Sequence, residues 1–226
     1  MSDLFLFGVF PYLAAALAVG GGIYRARALR STLTARSSQL LEGRLLYWGS
    51  VPWHYAIVAI LLAHALATVF PSAWARLLGS PGRLYAIEVL GLALGVLSVL
   101  GIGMLLVRRL SLTATTGAMD WAVVLLLAVQ AATGVYIAFA LRWGSGWFLH
   151  SAAPWLASLA RLQPRVDGVA ALPLVVKFHA VNAFVLIALL PLTRLMHLVS
   201  FPISYLWRSP QVVIWQRAPG AKEVAK

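Results

Sequence analysis

Long apolar runs without alternation dominate the chain, and they set its architecture. Stretches at roughly residues 4 to 24, 50 to 70, 85 to 107, 121 to 141 and 175 to 200 are almost wholly apolar. About 20 such residues cross a bilayer as a helix, whereas a membrane strand would show a two-residue alternation that is absent here. Hydrocarbon offers the backbone no hydrogen bonds, so the runs predict an all-α bundle of five transmembrane helices. A shorter stretch at 147 to 160, interrupted by His150 and Pro154, predicts an interfacial helix in a loop and not a sixth span. The nine tryptophans (Trp48, Trp53, Trp74, Trp121, Trp143, Trp147, Trp155, Trp207 and Trp215) fall at or beyond the ends of these runs. Indole rings favour that headgroup level, which supports the boundaries.

Composition agrees with a membrane protein, since 62% of the 226 residues are hydrophobic. The mean hydropathy is +0.87. The formal net charge of +12 is distributed unequally when loops are assigned alternately to the two sides. Twelve Lys and Arg fall on one side (Arg25, Arg27, Arg30, Arg36, Arg44, Arg108, Arg109, Arg194, Arg208, Arg217, Lys222, Lys226) and six on the other. The richer side is expected to be cytoplasmic, placing the N-terminus outside and the tail 201–226 inside. The opening MSDLFLFG has no basic residue before its apolar run, so it reads as a first span and not a cleaved signal. Anionic lipid and positive-inside loops account for the charge without nucleic acid. No internal repeat is evident, and residues 1–226 read as one domain.

The absence of cysteine removes disulfides, thiolate-held iron–sulfur clusters and covalent haem attachment from this chain. Histidine is then the main candidate for chemistry. His54 and His64 lie in the second run, His179 and His197 in the fifth, and His150 in the loop, where it reads as a surface residue. One histidine at membrane depth is ordinarily a packing residue or proton relay, but ionisable groups there are costly and point to function. Three crossings separate the second run from the fifth, so the two helices run antiparallel. His54 is then expected opposite His197 near the cytoplasm, and His64 opposite His179 near the outside.

The spacings do not match: ten residues against eighteen, or about 15 Å against about 27 Å on ideal helices. Eighteen residues are five whole turns, so an unbroken helix would present His179 and His197 on one face. Helix tilt and a kink at Pro191 could absorb the difference. Zinc and hydrolytic metals want three or four converging ligands, which two imidazoles cannot supply. Two imidazoles either side of one iron suit a non-covalent b-type haem, a carrier of electrons with no open position for substrate.

The fifth run, KFHAVNAFVLIALLPLTRLMHLVSFPISYLWR, resembles the last helix of the gamma subunits of respiratory nitrate reductases, a family of diheme membrane cytochromes b. The likeness includes the proline, the Arg three before the second histidine and the following S-x-P-x-x-Y-L. The paired histidines ten apart, GVLSVLGIGMLLVRRL and ATTGAMDW extend it from about Val9 to Val213. The resemblance implies two haems b, one held by His54 and His197 near a cytoplasmic iron–sulfur beta subunit, the other by His64 and His179 near the outer face. It implies oxidation of a membrane quinol, menaquinol above all, beside the outer haem. Nitrate would be reduced at a molybdenum-containing alpha subunit in the cytoplasm, and this chain would reside in the inner membrane.

The family's quinol pocket carries a basic residue at the outer start of the third span. Ungapped counting places Arg83 there, although lysine would be expected, and Arg83 also suits a snorkelling interface residue. Ala63 stands where the family tends to have glycine before the outer histidine. Arg194, three before His197, suits either a haem propionate or the positive-inside rule. Asn182 suits a hydrogen bond near the outer haem or interhelical glue. Gly91, Gly95, Gly101 and Gly103 suit close helix packing or room for a flat macrocycle. Two other readings share parts of this pattern: a diheme quinone subunit of a sulfur or heterodisulfide reductase, and a non-haem membrane anchor or transporter.

Overall fold

The structure, a computed structural model, describes residues 2–28, 43–111 and 117–198; the tail after Leu198 lies outside the described residues. Five helices are long and apolar enough to cross a membrane: α1 (Ser2–Ala28), α2 (Arg44–Val69), α4 (Pro81–Ser111), α5 (Ala118–Ala140) and α9, which with its terminal turn covers Leu174–Leu192. Short helices α3 (Pro71–Leu77), α6 (Gly144–His150), α7 (Ala152–Ala160) and α8 (Asp167–Ala170) fill the connections. Among the described residues there is no strand.

Prolines mark several boundaries. Pro71 and Pro81 open α3 and α4, where the absent N–H would have had no intrahelical partner. Pro52 lies inside α2, which continues through it. The interfacial segment expected at 147–160 is two helices, broken at Ser151. Trp143 enters α6 with φ 65°. The first-turn N–H of Ser145 donates to Glu88 Oε1 at 2.7 Å, tying that helix to α4.

The fifth span departs most from expectation. Its α-helix closes at Leu189, a 3₁₀ turn follows at Leu190–Leu192, Thr193 is extended, and a second 3₁₀ turn covers Arg194–Leu198. Pro191 lacks the N–H that the helix would need, and its ring cannot sit over the preceding turn. The released carbonyls find other donors. Thr193 Oγ1 donates to Leu189 O at 2.8 Å, and Arg25 Nη1 donates to Pro191 O at 2.8 Å and Thr193 O at 3.0 Å. The unbroken helix that would place His179 and His197 on one face is therefore absent.

Close packing runs from α2 to α4, α4 to α5, α5 to α9 and α9 to α1, so α2 and α9 are not close-packed neighbours. The α2–α4 contact is a glycine seam: a Cβ on Gly101 would lie 2.9 Å from Gly49 O and 3.0 Å from Trp53 N. Gly95 likewise abuts Val135 on α5, whereas a Cβ on Gly91 or Gly103 would meet nothing within 4 Å. Only two of the four α4 glycines thus serve helix packing among the described residues.

Two tryptophans are core residues and not interface anchors. Trp53 packs with Ile102, Val124 and Ala131. Trp155 packs with Phe7, Leu159 and Val169, and its Nε1–H donates to Phe7 O at 2.8 Å. Large apolar side chains such as Leu13, Leu61, Leu90, Leu100 and Phe139 are exposed along the spans, as lipid-facing surface requires.

Candidate functional site

The α2 histidines share one local geometry. His54 Nδ1 lies 2.7 Å from Ser50 O, with Ser50 Oγ at 3.2 Å, and His64 Nδ1 lies 2.8 Å from Ile60 O. A carbonyl oxygen only accepts, so Nδ1 carries the proton in both rings. In a neutral imidazole the lone pair is then on Nε2, on the side away from the helix's own backbone. Metal-bound histidines are oriented in this way, with the second ring nitrogen donating to a carbonyl. Both rings are exposed on the helix surface, and the His64 ring is met edge-on by Phe148 of α6 at 5.3 Å.

His179 reaches the same tautomer through side chains of α5. Thr133 Oγ1 lies 2.9 Å from His179 Nδ1, and Gln130 Nε2 lies 3.0 Å from His179 Nε2. Asn182 Nδ2 donates to Gln130 Oε1 at 2.7 Å and to Leu126 O at 3.0 Å. Gln130 therefore turns its oxygen to Asn182 and its NH₂ to His179, where Nε2 must accept. The Thr133 hydroxyl has Val129 O at 2.8 Å and Gln130 O at 3.1 Å for its own proton, which leaves its oxygen to accept from Nδ1. Gly134 makes room for the ring, since a Cβ there would be 3.3 Å from His179 Cε1. Asn182 does bridge two helices, and it also belongs to this network.

His197 lies in the 3₁₀ turn Arg194–Leu198, with its side chain outside the described residues. Arg194 Nε is 3.3 Å from Asp120 Oδ1, and Arg109 Nη1 is 3.4 Å from Asp120 Oδ2, so one carboxylate gathers two guanidinium groups at this end of the bundle. Arg83 donates from Nε to Leu77 O at 2.8 Å and from Nη2 to Arg76 O at 3.3 Å, closing the C-terminal turn of α3. Ala63 is half-buried next to His64. His150 is exposed and lines a cavity of about 480 Å³ with Thr68, Arg161, Arg165 and Asp167. Among the described residues no three His, Cys, Asp or Glu side chains converge on one point.

Sequence reading singles out Asn182 but misses Gln130, Thr133 and Gly134. The available signal is two polar side chains and a glycine inside one turn of an otherwise apolar span. Such groups are expensive in lipid and mark helix contacts or sites.

A family profile described as "Nitrate reductase gamma subunit" matches residues 3–216. The nitrate reductase gamma chain of Bacillus subtilis (strain 168) is 31% identical over 215 residues, 92% of this chain and 96% of that one. The respiratory nitrate reductase 1 gamma chain of Escherichia coli (strain K12) is 30% identical over 224 residues, covering 93% and 96%. The nitrate reductase-like protein NarX of Mycobacterium tuberculosis is 32% identical over 230 residues, 96% of this chain but 34% of that protein. With the profile spanning nearly its whole length, and histidines in its second and last membrane helices, the chain belongs to the nitrate reductase gamma subunit family.

Proposed function

We propose that this membrane subunit is the diheme cytochrome b of a respiratory nitrate reductase. It oxidises a membrane quinol near its outer end and delivers electrons to an iron–sulfur beta subunit at the other, with a molybdenum-containing alpha subunit reducing nitrate. The observation that carries this reading is the shared tautomer of His54, His64 and His179. Each ring has Nδ1 on an oxygen acceptor and its lone pair on Nε2. Axial ligands need this arrangement, with Nδ1–H donating to an oxygen and the lone pair on Nε2.

His64 and His179 would hold one haem b, and His54 and His197 the other. Haem b, when bound, supplies a one-electron iron couple. The residues suit the group because each of His54, His64 and His179 keeps its lone pair on Nε2 and because α2 and α9 are not packed closely on each other; at His179 the Gln130 amide that caps Nε2 would give way to iron. The break after Leu189 supports the second pair. The α-helix runs ten residues beyond His179, the same spacing as His54 to His64, and Pro191 then frees the chain from the helix axis before His197.

At the outer end, Arg83 would donate to a quinol oxygen through guanidinium N–H groups beyond the two that hold α3, and Ala63 would set the width of the pocket beside His64. Arg194 would balance propionate charge near the inner haem in concert with Asp120.

Pyridine-haemochrome quantification of the purified chain tests the reading. Two haems b in wild type, with matched losses for His54→Ala and His197→Ala and for His64→Ala and His179→Ala, are expected. A well-folded wild type without haem would refute it and return the histidines to packing or proton transfer.

A further inference from the structure

His54 and His64 tie Nδ1 to carbonyls of their own helix, a bond that no side-chain substitution can remove. His179 differs. The groups recorded on its ring come largely from one turn of α5: the Thr133 hydroxyl, the Gln130 amide and the space left by Gly134.

The hydroxyl is fixed in its role as acceptor. Its proton is directed to Val129 O and Gln130 O within its own helix, at 2.8 and 3.1 Å, so the lone pair is what faces Nδ1 at 2.9 Å. The remainder of the network fixes the opposite ring nitrogen independently. Asn182 accounts for Gln130 Oε1 and so forces the Gln130 NH₂ toward Nε2. Each donor and acceptor has one consistent assignment, and among the described residues no buried side-chain N or O lacks a hydrogen bond.

We infer that Thr133 is a positioning residue for His179: by accepting from Nδ1 it keeps the lone pair on Nε2, which the Gln130 amide caps in this structure and which haem iron would take in its place, and it tunes that ligand's donor strength from the neighbouring helix. This rests on the diheme reading above. An Nδ1–H that donates to an oxygen makes the imidazole a stronger electron donor, which favours the ferric state. Removing the acceptor weakens ferric ligation preferentially. Changes of this outer kind cost about 10–100-fold in metal affinity, and a tenfold loss confined to the oxidised state raises a one-electron potential by about 59 mV.

The experiment is a spectroscopic redox titration, with low-temperature EPR of the oxidised haems, on the assembled complex carrying Thr133→Val, Thr133→Ala or Thr133→Ser. Val and Ala remove the acceptor, whereas Ser keeps it without the methyl group. The expected result is an upward shift, or loss, of one haem in both Val and Ala variants, the other haem unmoved, and Ser close to wild type. Two unshifted haems in the Val and Ala variants would overturn the inference. Equal shifts of both haems, or an effect of Val without Ala, would overturn it as a packing effect. A wild type without haem would overturn the diheme reading and this inference together, so the two failures are distinguishable.

Discussion

Substituting Gly101 by alanine is expected to strain the α2–α4 seam, while the same change two residues later is harmless. A Cβ at position 101 would lie 2.9 Å from Gly49 O, 3.0 Å from Trp53 N and 3.0 Å from Trp53 Cβ. Two of these atoms are backbone, and no side-chain rotation relieves them. Restoring ordinary contact at about 3.4 Å or more requires the helix axes to part by roughly 0.5 Å along a close-packed interface. Overpacking of this kind costs about 1–3 kcal/mol. At Gly103 the new Cβ would meet nothing within 4 Å. Both variants gain the same helix propensity, about 1 kcal/mol for Gly→Ala, so the difference between them isolates the seam. Unfolding of the two purified variants in one detergent should differ by about 1–3 kcal/mol, Gly101→Ala being the weaker. Trp53 precedes His54, so on the diheme reading proposed above Gly101→Ala should also reduce the haem retained by the chain. Equal stability of the two variants would refute the argument, showing that the seam is looser than its geometry states.

Trp155→Phe deletes the buried donor to Phe7 O and should destabilise the packing of the connection on α1 by about 1–3 kcal/mol, read as faster proteolysis between Arg142 and Pro173. Asp120→Asn loses its attraction for Arg109 and Arg194; with Arg194 exposed, the cost should stay below about 1 kcal/mol and shrink further in high salt, as unfolding at two ionic strengths would show. Gly21→Ala places a Cβ 2.8 Å from the Pro191 ring and should displace the break that precedes His197, measured as preferential loss of one haem per chain.

The spans are legible because each needs only about 20 unbroken apolar residues, a property local to the sequence. The rotation of each helix about its own axis is not. An all-round apolar helix has no polar face to declare which side meets protein and which meets lipid. Gly95 and Gly101 therefore look the same in sequence as Gly91 and Gly103, although only the first two receive a neighbouring helix. Trp53 reads as an interface anchor for a related reason: the apolar run begins near it, but α2 starts nine residues earlier at Arg44 and carries Trp53 into the core. The break after Leu189 has a visible signal in Pro191, yet proline alone does not distinguish a kink from a stop. What decides is whether the released carbonyls find donors, and Arg25, distant in sequence, provides them.

The histidines stand out in the sequence because a basic side chain at membrane depth is expensive wherever it points. Their surroundings are less so, since the two helices solve one problem in different ways. On α2 the acceptor for Nδ1 is the backbone four residues back, which any sequence provides, so no neighbouring residue type could betray it. On α9 the acceptor is a side chain 46 residues away, and residue types there carry information. Gln130 and Thr133 are three apart and share a helix face, while Asn182 is three beyond His179 and shares its face. Two polar faces in two apolar spans have little choice but to meet, because lipid satisfies neither. Gln130 and Thr133 thus mark, by residue type alone, the helix against which His179 must pack. An intramembrane histidine held by side chains leaves a trace in sequence, and one held by backbone leaves none.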